Sequence, residues 1–451
     1  MSFSAAILAE HLAKIEQVAG HPARLVVAFS GGLDSSVLLH ALVALKQDQA
    51  GFADVAVKAI HIDHGLHADS VRWVEHCEAV AESLGVEFQS LRVSVQLESG
   101  LDKGMGPEAA ARDARYSALR AQLSTNDWLL SAHHREDQAE TLLLNLIRGS
   151  GPAGVAGIGV ARRFGPGWLV RPILDVARAE LTEYAEEVGL EWLEDPSNTD
   201  LRFDRNFLRH EVMPRLKSRW TDIAARLQRS AGHAGEASQL LQDLAEIDLA
   251  TLGSGCERLP IDGLSALSFA RQRNLIRYAL RELDLSTPTT MQLDQIQSEL
   301  IPAREDAQPL VTWSGASVRR YRNGLYLLPQ NLAAAIISTG VNGSEIELGA
   351  GLGTLHFEDG AESGLRPELM RQGLTIEPRK GGEEIQLQGQ EHTRKLKKLL
   401  QEHGIVPWMR DRLPLLYCGD QLVAIGDLWM AADAVASPGI GVHWHGRPAL
   451  H

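Results

Sequence analysis

A short stretch with the sequence SGGLDSS carries the residue types that hold a phosphate group. Its first six members are Ser30, Gly31, Gly32, Leu33, Asp34 and Ser35. Two glycines allow a tight turn that brings backbone N–H groups close to an anion. The unpaired amides and positive dipole end of a following helix favour phosphate oxygens, and the serine hydroxyls add donors. The stretch predicts a loop that binds a multiply charged phosphate group; the alternative is an ordinary turn capped by Ser or Asp.

The elements around this stretch predict where the loop lies. The β-type run RLVVAFS precedes it, and the helical run SSVLLHALVALK follows it. Further strand candidates are VAVKAIHID, VEFQSLRV, DWLLSAHH and WLVRPIL, and the helix candidates cover 35–46, 70–84, 107–123 and 135–148. This alternation predicts an α/β fold with a doubly wound parallel sheet covered on both faces. The ligand site of such a sheet lies at the carboxyl ends of its strands.

The pattern changes at about Trp220, where long helical stretches replace the alternation. A hairpin with an Asn323-Gly324 turn follows, then a Gly-rich region and a short segment with mixed helical and strand patterns. We predict a small α+β domain at the C-terminus. The predicted domains are 1–219, α/β; 220–330, mainly helical; 331–373, a linker or β region; and 374–451, small α+β.

Composition narrows the function classes. The net charge of −14 argues against a protein that coats nucleic acid without specificity, although local basic patches remain allowed. Cys77, Cys256 and Cys418 are far apart in sequence and form no CxxC pair, which disfavours a zinc ribbon, a redox dithiol and a disulfide scaffold. No run of 18 or more apolar residues occurs, and the first residues resemble an amphipathic helix more than a signal peptide. We therefore expect a cytoplasmic protein without a membrane segment.

The loop on a strand–loop–helix unit resembles the PP-loop of the N-type ATP pyrophosphatases, and further motifs resemble one family among them, the tRNA(Ile)-lysidine synthetases. Those motifs are HIDHGLHADS, PEAAARDARYSAL, SAHHREDQAETLLLNLIRGSG, RPILDVARAEL, EDPSNTDLRFDRNFLRHEVMPRL, PRKGGEE, RKLKKLLQEHGIVPWMRDRLPLLY and QLVAIGDLW. The resemblance implies ATP-dependent ligation of L-lysine to carbon 2 of the wobble cytidine of tRNA(Ile) with a CAU anticodon. The adenylated cytidine would be the intermediate, and lysidine would change the codon from AUG to AUA. ATP and Mg²⁺ would be the cofactors. The resemblance allows a homodimer, since related enzymes are often dimers, but the sequence does not reveal the oligomeric state.

Under this resemblance, specific side chains acquire expected roles. Asp34, the only acid of the loop, is expected to contact Mg²⁺ or a water on it; the alternative is a helix cap. Asp137 and Glu140 share one helix face, since they are three residues apart. We expect Asp137 to hold the lysine ammonium and to help take its proton, and Glu140 to orient a neighbour or bind magnesium. Arg112 is expected to hold phosphate or the lysine carboxylate; the alternative is an intrahelical pair with Glu108.

Histidines precede the two acids, and two interpretations of them stay open. His134 is expected either to contact the substrate directly or to pack at the strand end under the nucleotide. Spacing also permits a metal site made of His133, His134, Asp137 and Glu140, but no cysteine or further cluster supports a dedicated transition-metal site.

Two basic segments predict contacts with tRNA phosphates. Residues 202–229 contain eight Arg/Lys against three acids, and Arg202, Arg205 and Arg209 recur at helical spacing. A solvated helix surface is the alternative. Near the C-terminus, RKLKK concentrates charge, and Lys397 and Lys398 are expected to meet tRNA away from the anticodon.

Three other functions compete with this hypothesis. A tRNA thiolation enzyme would share the loop and the RNA substrate, but many such enzymes use paired cysteines. A small-molecule amidating ligase would need an ammonia source, and the chain has no glutaminase motif. A non-enzymatic tRNA-binding protein would not need the intact SGGLDS and HHREDQAET motifs.

Overall fold

The computed structural model describes residues 2–47, 52–63, 70–93, 107–305, 307–332, 336, 338–349 and 351–450. The chain divides into two compact units, one ending at Leu240 and the other beginning at Leu241. The four-domain division drawn from the sequence stays a prediction. Among the described residues, no helix combines the length and apolar character needed to cross a membrane.

The first unit is built around one six-stranded sheet. Its strands are β1 (Arg24–Ala28), β2 (Ala56–Asp63), β3 (Glu87–Arg92), β4 (Trp128–Leu130), β5 (Ala161–Phe164) and β6 (Gly167–Val170). Their order is β3-β2-β1-β4-β6-β5, and every neighbouring pair is parallel except the edge pair β5–β6. The order reverses between β1 and β4, as in a doubly wound sheet. The predicted fold class is therefore confirmed.

Helices cover this sheet on both faces. The helices up to residue 219 are α1 (Ala5–Ala19), α2 (Leu33–Gln47), α3 (Ser70–Ser83), α4 (Pro107–Ala121), α5 (Arg135–Ile147), α6 (Pro152–Val155), α7 (Arg178–Glu187), α8 (Asp204–Phe207) and α9 (Met213–Arg219), and not all of them pack on the sheet. A 3₁₀ turn spans Pro196–Thr199, and a π-helical turn at Leu208–Val212 joins α8 to α9.

Alternation along β1 explains why both faces are covered. Leu25 and Val27 are buried in one apolar core, whereas Val26 between them is buried in the core on the opposite face. A strand with consecutive apolar residues, such as Leu25–Val27, is typical of a sheet that helices bury on both faces. Trp128 of β4 lies fully buried in the same core as Leu25, so the two central strands share their packing.

The second unit begins within the long helix α10 (Ile223–Leu252). It continues with β7 (Arg258–Pro260), α11 (Ile261–Ala266), α12 (Phe269–Glu282), α13 (Thr290–Gln295), a π-helical turn (Ile296–Leu300), β8 (Leu310–Trp313), β9 (Ala316–Tyr321) and β10 (Gly324–Leu328). The strands form a sheet in the order β7-β10-β9-β8. The hairpin predicted at Asn323-Gly324 is confirmed as the β9–β10 pair, in which Tyr321 faces Gly324.

The remaining chain is rich in short strands. These elements are β11 (Thr339–Gly340), β12 (Glu345–Glu347), β13 (Thr354–Ala361), β14 (Gly364–Leu365), α14 (Pro367–Gln372), β15 (Leu374–Glu377), β16 (Glu384–Ile385), β17 (Arg394–Lys395), α15 (Leu396–Glu402), α16 (Pro407–Arg410), β18 (Leu415–Cys418), β19 (Gln421–Ile425), β20 (Trp429–Met430), β21 (Val435–Ala436) and β22 (Gly439–His445). Two five-stranded sheets run in the orders β11-β15-β18-β19-β20 and β12-β13-β22-β14-β21. The region interpreted from sequence as a linker or β segment therefore supplies β11–β14 to these sheets.

The β9–β10 hairpin also packs against this C-terminal part. Tyr321 and Tyr326 belong to the same buried core as Leu396 and Leu400 of α15. The rings of Tyr326 and Trp408 meet edge to face, with centroids 4.9 Å apart, and Arg410 Nη2 donates to the Tyr321 hydroxyl at 3.0 Å. Trp408 is thus part of the packing between hairpin and C-terminal strands.

Candidate active site

The SGGLDSS loop follows β1 at its carboxyl end, and α2 begins at Leu33, inside the motif. The Ser35 hydroxyl donates to the Gly32 carbonyl at 3.0 Å and lies 3.0 Å from Ser30 Oγ. The Ser30 N–H donates to Ser35 Oγ at 3.3 Å. The hydroxyls therefore brace the turn, and the first amides of α2 lie at the ligand-binding edge of the sheet.

Gly31 is the position at which the loop tolerates no side chain. Its φ of +78° lies in the left-handed region. A Cβ placed there would stand 2.7 Å from Cys77 Sγ, because α3 packs directly behind the loop. Both the backbone and the surrounding space thus require glycine.

Asp137, Glu140, Arg205 and Arg209 form a group that we call the carboxylate–arginine cluster. Arg205 donates from Nε to Glu140 Oε2 at 2.9 Å and from Nη2 to Asp137 Oδ1 at 2.8 Å. Arg209 donates from Nε to Glu140 Oε1 at 2.7 Å and from Nη2 to Asp137 Oδ1 at 2.9 Å. The side chains of Asp137 and Glu140 are 11% and 2% exposed, so the two guanidinium groups neutralise a buried acid pair.

Local sequence explains this arrangement. Asp137 and Glu140 lie on α5, one helical turn apart, and face the segment that carries the arginines. Arg205 lies in α8 and Arg209 in the following π-helical turn, and both reach the same two carboxylates. π-helical turns are frequent at functional sites, and this one was not predicted from the sequence.

His134 connects the loop to the cluster. It is the N-cap residue of α5, and its backbone N–H donates to Asp137 Oδ2 at 3.0 Å. Its Nε2 lies 3.4 Å from Asp137 Oδ2 and 3.7 Å from Asp34 Oδ2 of the loop. The buried His134 imidazole thus stands between the acid of the loop and the acid of the cluster.

Charge in this small space shifts the pKa values of its members. Burial alone would lower the pKa of His134, but its hydrogen bond to Glu136 and the charges of Asp137 and Asp34 raise it above the ordinary value. Burial alone would raise the pKa of Asp137, but His134, Arg205 and other cations hold it well below its usual range. Asp137 is therefore a stable anion, suited to holding a cation and poorly suited to accepting a proton.

Asp34 has the features of a magnesium-binding carboxylate. Its Oδ1 is buried and has no hydrogen-bond partner among the described residues. Burial, with the charge of Asp137 as a further cause, raises its pKa, and a nearby cation would lower it again. Mg²⁺ prefers oxygen ligands and often uses one or two carboxylates together with substrate phosphates. The residues present fit that ion.

A transition-metal site receives no such support. Within the described residues, no group of three or more His, Cys, Asp or Glu side chains is arranged to hold a metal ion. Glu140 instead binds the two arginines, and His133 Nδ1 lies 2.7 Å from the Ser131 hydroxyl.

His133 and Arg112 lie at the cationic side of the site. Burial lowers the pKa of His133 to about 3, with the charges of Arg171, Arg205 and Arg112 as further causes, against the opposite effect of Asp137. Arg112 is exposed on α4, with its guanidinium carbon 5.5 Å from the centre of the Tyr116 ring. Its charge contributes to lowering the pKa of His133, and its guanidinium group is exposed at the surface. Glu108 has no described side chain, so the alternative pairing lies outside the described residues.

The arginine face predicted from helical spacing does not form as expected. Arg202 precedes α8 and binds Asp200 through Nε and Nη2, whereas Arg205 and Arg209 turn to the buried acid pair. The reason is that two carboxylates on α5, those of Asp137 and Glu140, bind the guanidinium groups of Arg205 and Arg209, so these groups do not form a free basic surface. The tRNA-binding role of these arginines stays a prediction. Lys397 and Lys398 are exposed on α15, whose Leu396 and Leu399 face the core.

Sequence reasoning missed Glu136, the first of the three acids in HHREDQAE. Its Oε2 accepts the backbone N–H of Arg178 at 2.9 Å and lies 3.1 Å from His134 Nδ1. It therefore fixes the His134 ring from the side opposite Asp137. The run of three acids around the start of α5 was the available signal.

Comparison with known proteins agrees with this geometry. Family models described as PP-loop domain, TilS substrate binding domain and TilS substrate C-terminal domain match residues 6–216, 259–326 and 374–444. The tRNA(Ile)-lysidine synthase of Alkalilimnicola ehrlichii is 42% identical over 446 residues, covering 96% of this chain and 95% of the relative. That of Methylococcus capsulatus is 39% identical over 426 residues, covering 93% and 95%. A solved U34-tRNA thiolase from Methanococcus maripaludis, at 16% identity, covers 51% of this chain and 79% of its own with a TM-score of 0.40, too weak to support an argument.

A phosphate-binding loop at the head of α2, in a doubly wound sheet, defines a PP-loop protein. The relatives share this domain and extend over both units of the chain. The chain belongs to the tRNA(Ile)-lysidine synthase family.

Proposed function

We propose that this chain uses ATP to ligate L-lysine to carbon 2 of the wobble cytidine of tRNA(Ile) with a CAU anticodon, giving lysidine. The position of His134 between the loop and the cluster is the geometric observation that supports this proposal. His134 Nε2 lies 3.7 Å from Asp34 of the phosphate-binding loop and 3.4 Å from Asp137 of the carboxylate–arginine cluster. A nucleotide on the loop and a cationic amine near the cluster would therefore meet in one site. The names of the relatives supply the substrate class.

The reaction proceeds in two balanced steps. The cytosine carbonyl oxygen attacks the α-phosphate of ATP, the bond to the β-phosphate breaks, and pyrophosphate leaves. The lysine ammonium gives one proton to water, and the neutral ε-amine then attacks carbon 2 to form the C–N bond. The bond to the adenylate oxygen breaks, AMP leaves, and the new C–N nitrogen gives a second proton to water. A base in an anticodon loop is easily taken out of its stack, which both steps require.

We propose that Asp137 holds the lysine ammonium by charge. Its depressed pKa supports this role and argues against the second role predicted from sequence, the uptake of the proton. Asp137 Oδ1 already accepts hydrogen bonds from Arg205 and Arg209. An arriving ammonium therefore competes with the guanidinium groups, and Glu140 keeps them in place.

We propose that Asp34 holds Mg²⁺ with the phosphates. When bound, the ion would neutralise polyphosphate charge and stabilise the leaving pyrophosphate. The loop amides and the Ser30 and Ser35 hydroxyls would orient the phosphates, and Arg112 would hold phosphate or the lysine carboxylate. His134 would pack under the nucleotide and hold the carboxylates of Asp34 and Asp137 in fixed positions relative to each other.

We propose that Arg202, Lys397 and Lys398, which are exposed, bind tRNA phosphates, and that the reaction takes place in the cytoplasm, where its substrates are.

A tRNA thiolation function finds little support in Cys77, because burial raises the pKa of its thiol to about 12. A thiol that stays protonated is a poor sulfur carrier. The homodimer that the resemblance allows is a separate proposal, which sedimentation equilibrium of the full chain tests.

The decisive experiment is a transfer assay. The full chain is incubated with ATP, Mg²⁺, labelled lysine and a tRNA(Ile) transcript with the CAU anticodon, and the digested RNA is analysed by mass spectrometry. We expect a lysine-bearing cytidine, with pyrophosphate and AMP released in equal amounts. A transcript with uridine at the wobble position is the control. Lysine label in the control RNA, or no lysine-bearing cytidine in the tRNA(Ile) transcript, would contradict the proposal.

A further inference from the structure

Two carbonyl groups of the phosphate-binding loop are held from outside the motif. The indole Nε1–H of Trp73 on α3 donates to the Ser30 carbonyl at 2.9 Å. The backbone N–H of Leu193 donates to the Gly31 carbonyl at 3.0 Å. Neither residue belongs to SGGLDSS, and neither has a role in the chemistry described above.

These two bonds determine where the loop amides point. A trans peptide is planar, and its N–H points opposite to its C=O. Fixing the Ser30 carbonyl towards Trp73 therefore directs the N–H of Gly31 away from α3. Fixing the Gly31 carbonyl towards Leu193 likewise directs the N–H of Gly32, which keeps only a long 3.4 Å contact with Ser30 Oγ. The peptides on both sides of Gly31 are therefore fixed in orientation, and successive backbone N–H groups are what an anion-binding concavity is made of.

The packing behind the loop supports the same direction. A Cβ on Gly31 would stand 2.7 Å from Cys77 Sγ and 3.4 Å from Trp73 Nε1, so α3 fills the space on that side. Trp73 is half-buried, and Cys77 is fully buried. The loop is thus closed on the side that faces α3.

We propose that Trp73 is a positioning residue for the phosphate-binding loop: its indole N–H fixes the Ser30–Gly31 peptide so that the Gly31 amide faces the ATP phosphates. The inference rests on the proposed ATP-binding role of the loop. Without the indole donor, the peptide can rotate, and ATP binding must then restore its orientation. One net hydrogen bond corresponds to an expected loss of about 3- to 10-fold in ATP affinity.

The test compares Trp73→Phe with the wild-type chain. The variant keeps an aromatic ring against the loop and removes the N–H. A second variant, with 3-benzothienylalanine at position 73, keeps both rings and replaces only the N–H by sulfur, so it tests the bond even if Trp73→Phe folds poorly. Trp313→Phe is the matched control, because Trp313 Nε1 also donates to a backbone carbonyl, that of Ser286 at 3.0 Å, in the other compact unit.

Equilibrium dialysis with labelled ATP and Mg²⁺, without tRNA, measures affinity, and the transfer assay measures KM for ATP and for lysine. We expect both variants at position 73 to raise Kd and KM for ATP about 3- to 10-fold with KM for lysine unchanged, and Trp313→Phe to leave Kd for ATP unchanged. Wild-type Kd values in both variants, or equal losses for ATP and lysine, would overturn the inference. Wild-type chain that binds ATP but forms no lysidine would refute the proposed function and leave this inference standing.

Discussion

The carboxylate–arginine cluster allows a quantitative test of its contribution to folding. Glu140 is 2% exposed and accepts hydrogen bonds from Arg205 and from two nitrogens of Arg209. Glu140→Gln keeps the volume but leaves two guanidinium groups facing one remaining carboxylate. Breaking a buried pair costs about 3–5 kcal/mol, and because the arginines are 26–28% exposed, we expect the lower end, about 3 kcal/mol.

A double-mutant cycle with Arg209→Gln separates the interaction energy between Glu140 and Arg209 from the destabilisation that each substitution causes by itself. If the two side chains interact directly, the double variant should lose about 1–2 kcal/mol less than the sum of the single losses. Native-state hydrogen exchange of peptides that cover β1 and β4 measures the opening free energy of the first unit alone.

Glu211→Gln is the control for this cycle. Glu211 belongs to the same helical segment, but its pair with Arg215 is exposed, with the two side chains 3.6 Å apart. Its loss should cost less than about 1 kcal/mol. Additive losses at Glu140 and Arg209, or a cost at Glu140 no larger than at Glu211, would refute the view that the cluster is a coupled buried ion network.

Three further predictions concern the site. Asp137→Asn should abolish lysine transfer while dialysis shows ATP affinity nearly intact; an equal loss of ATP binding would show that the assigned role is wrong. Gly31→Ala should lower the free energy of unfolding by about 2–5 kcal/mol, from positive-φ strain and the Cys77 contact. Gly189→Ala is the control, because Gly189 has a φ of +68° but no atom near an added Cβ, and it should cost only about 1–2 kcal/mol. Adding Cys77→Ala should restore part of the stability lost in Gly31→Ala. Equal losses for Gly31→Ala and Gly189→Ala in urea melts would contradict this. Between pH 6.5 and about 3 the unfolded chain protonates His133 while the folded chain does not, so the free energy of unfolding should fall as the pH falls. In thermal melts, the stability of His133→Gln should fall less steeply with pH than that of the wild-type chain. An unchanged slope would contradict this.

Much of the first unit could be predicted from sequence because its signals are local. The five strand candidates became β1, β2, β3, β4 and β6. Apolar runs next to helical periods, as in β1 and β4, are typical of a buried parallel sheet, whereas in the edge strand β3 polar residues separate the apolar ones. The antiparallel edge strand β5 escaped, because its sequence ARRF is short and only its last residue is buried.

The partners of the site arginines could not be predicted, because they are distant in sequence. Arg205 and Arg209 lie 65 to 72 residues from Asp137 and Glu140, and helical spacing shows which residues share a face but not what that face meets. The Gly-rich stretch before residue 374 posed a different difficulty. Its strands β11 and β14 contain two residues each, so their pairing depends on tertiary contacts more than on local pattern.

The shared core between the β9–β10 hairpin and the C-terminal strands sets a limit on dissecting this chain. Cutting after residue 330, where sequence alone suggests a border, would strip cover from Tyr321 and Tyr326 and leave Trp408 without its aromatic neighbour on the other fragment. Each fragment would expose an apolar surface that is buried in the full chain, and such a surface promotes aggregation. Chimaeras that exchange segments with relatives should therefore transplant the β9–β10 hairpin and the C-terminal strands as a single block.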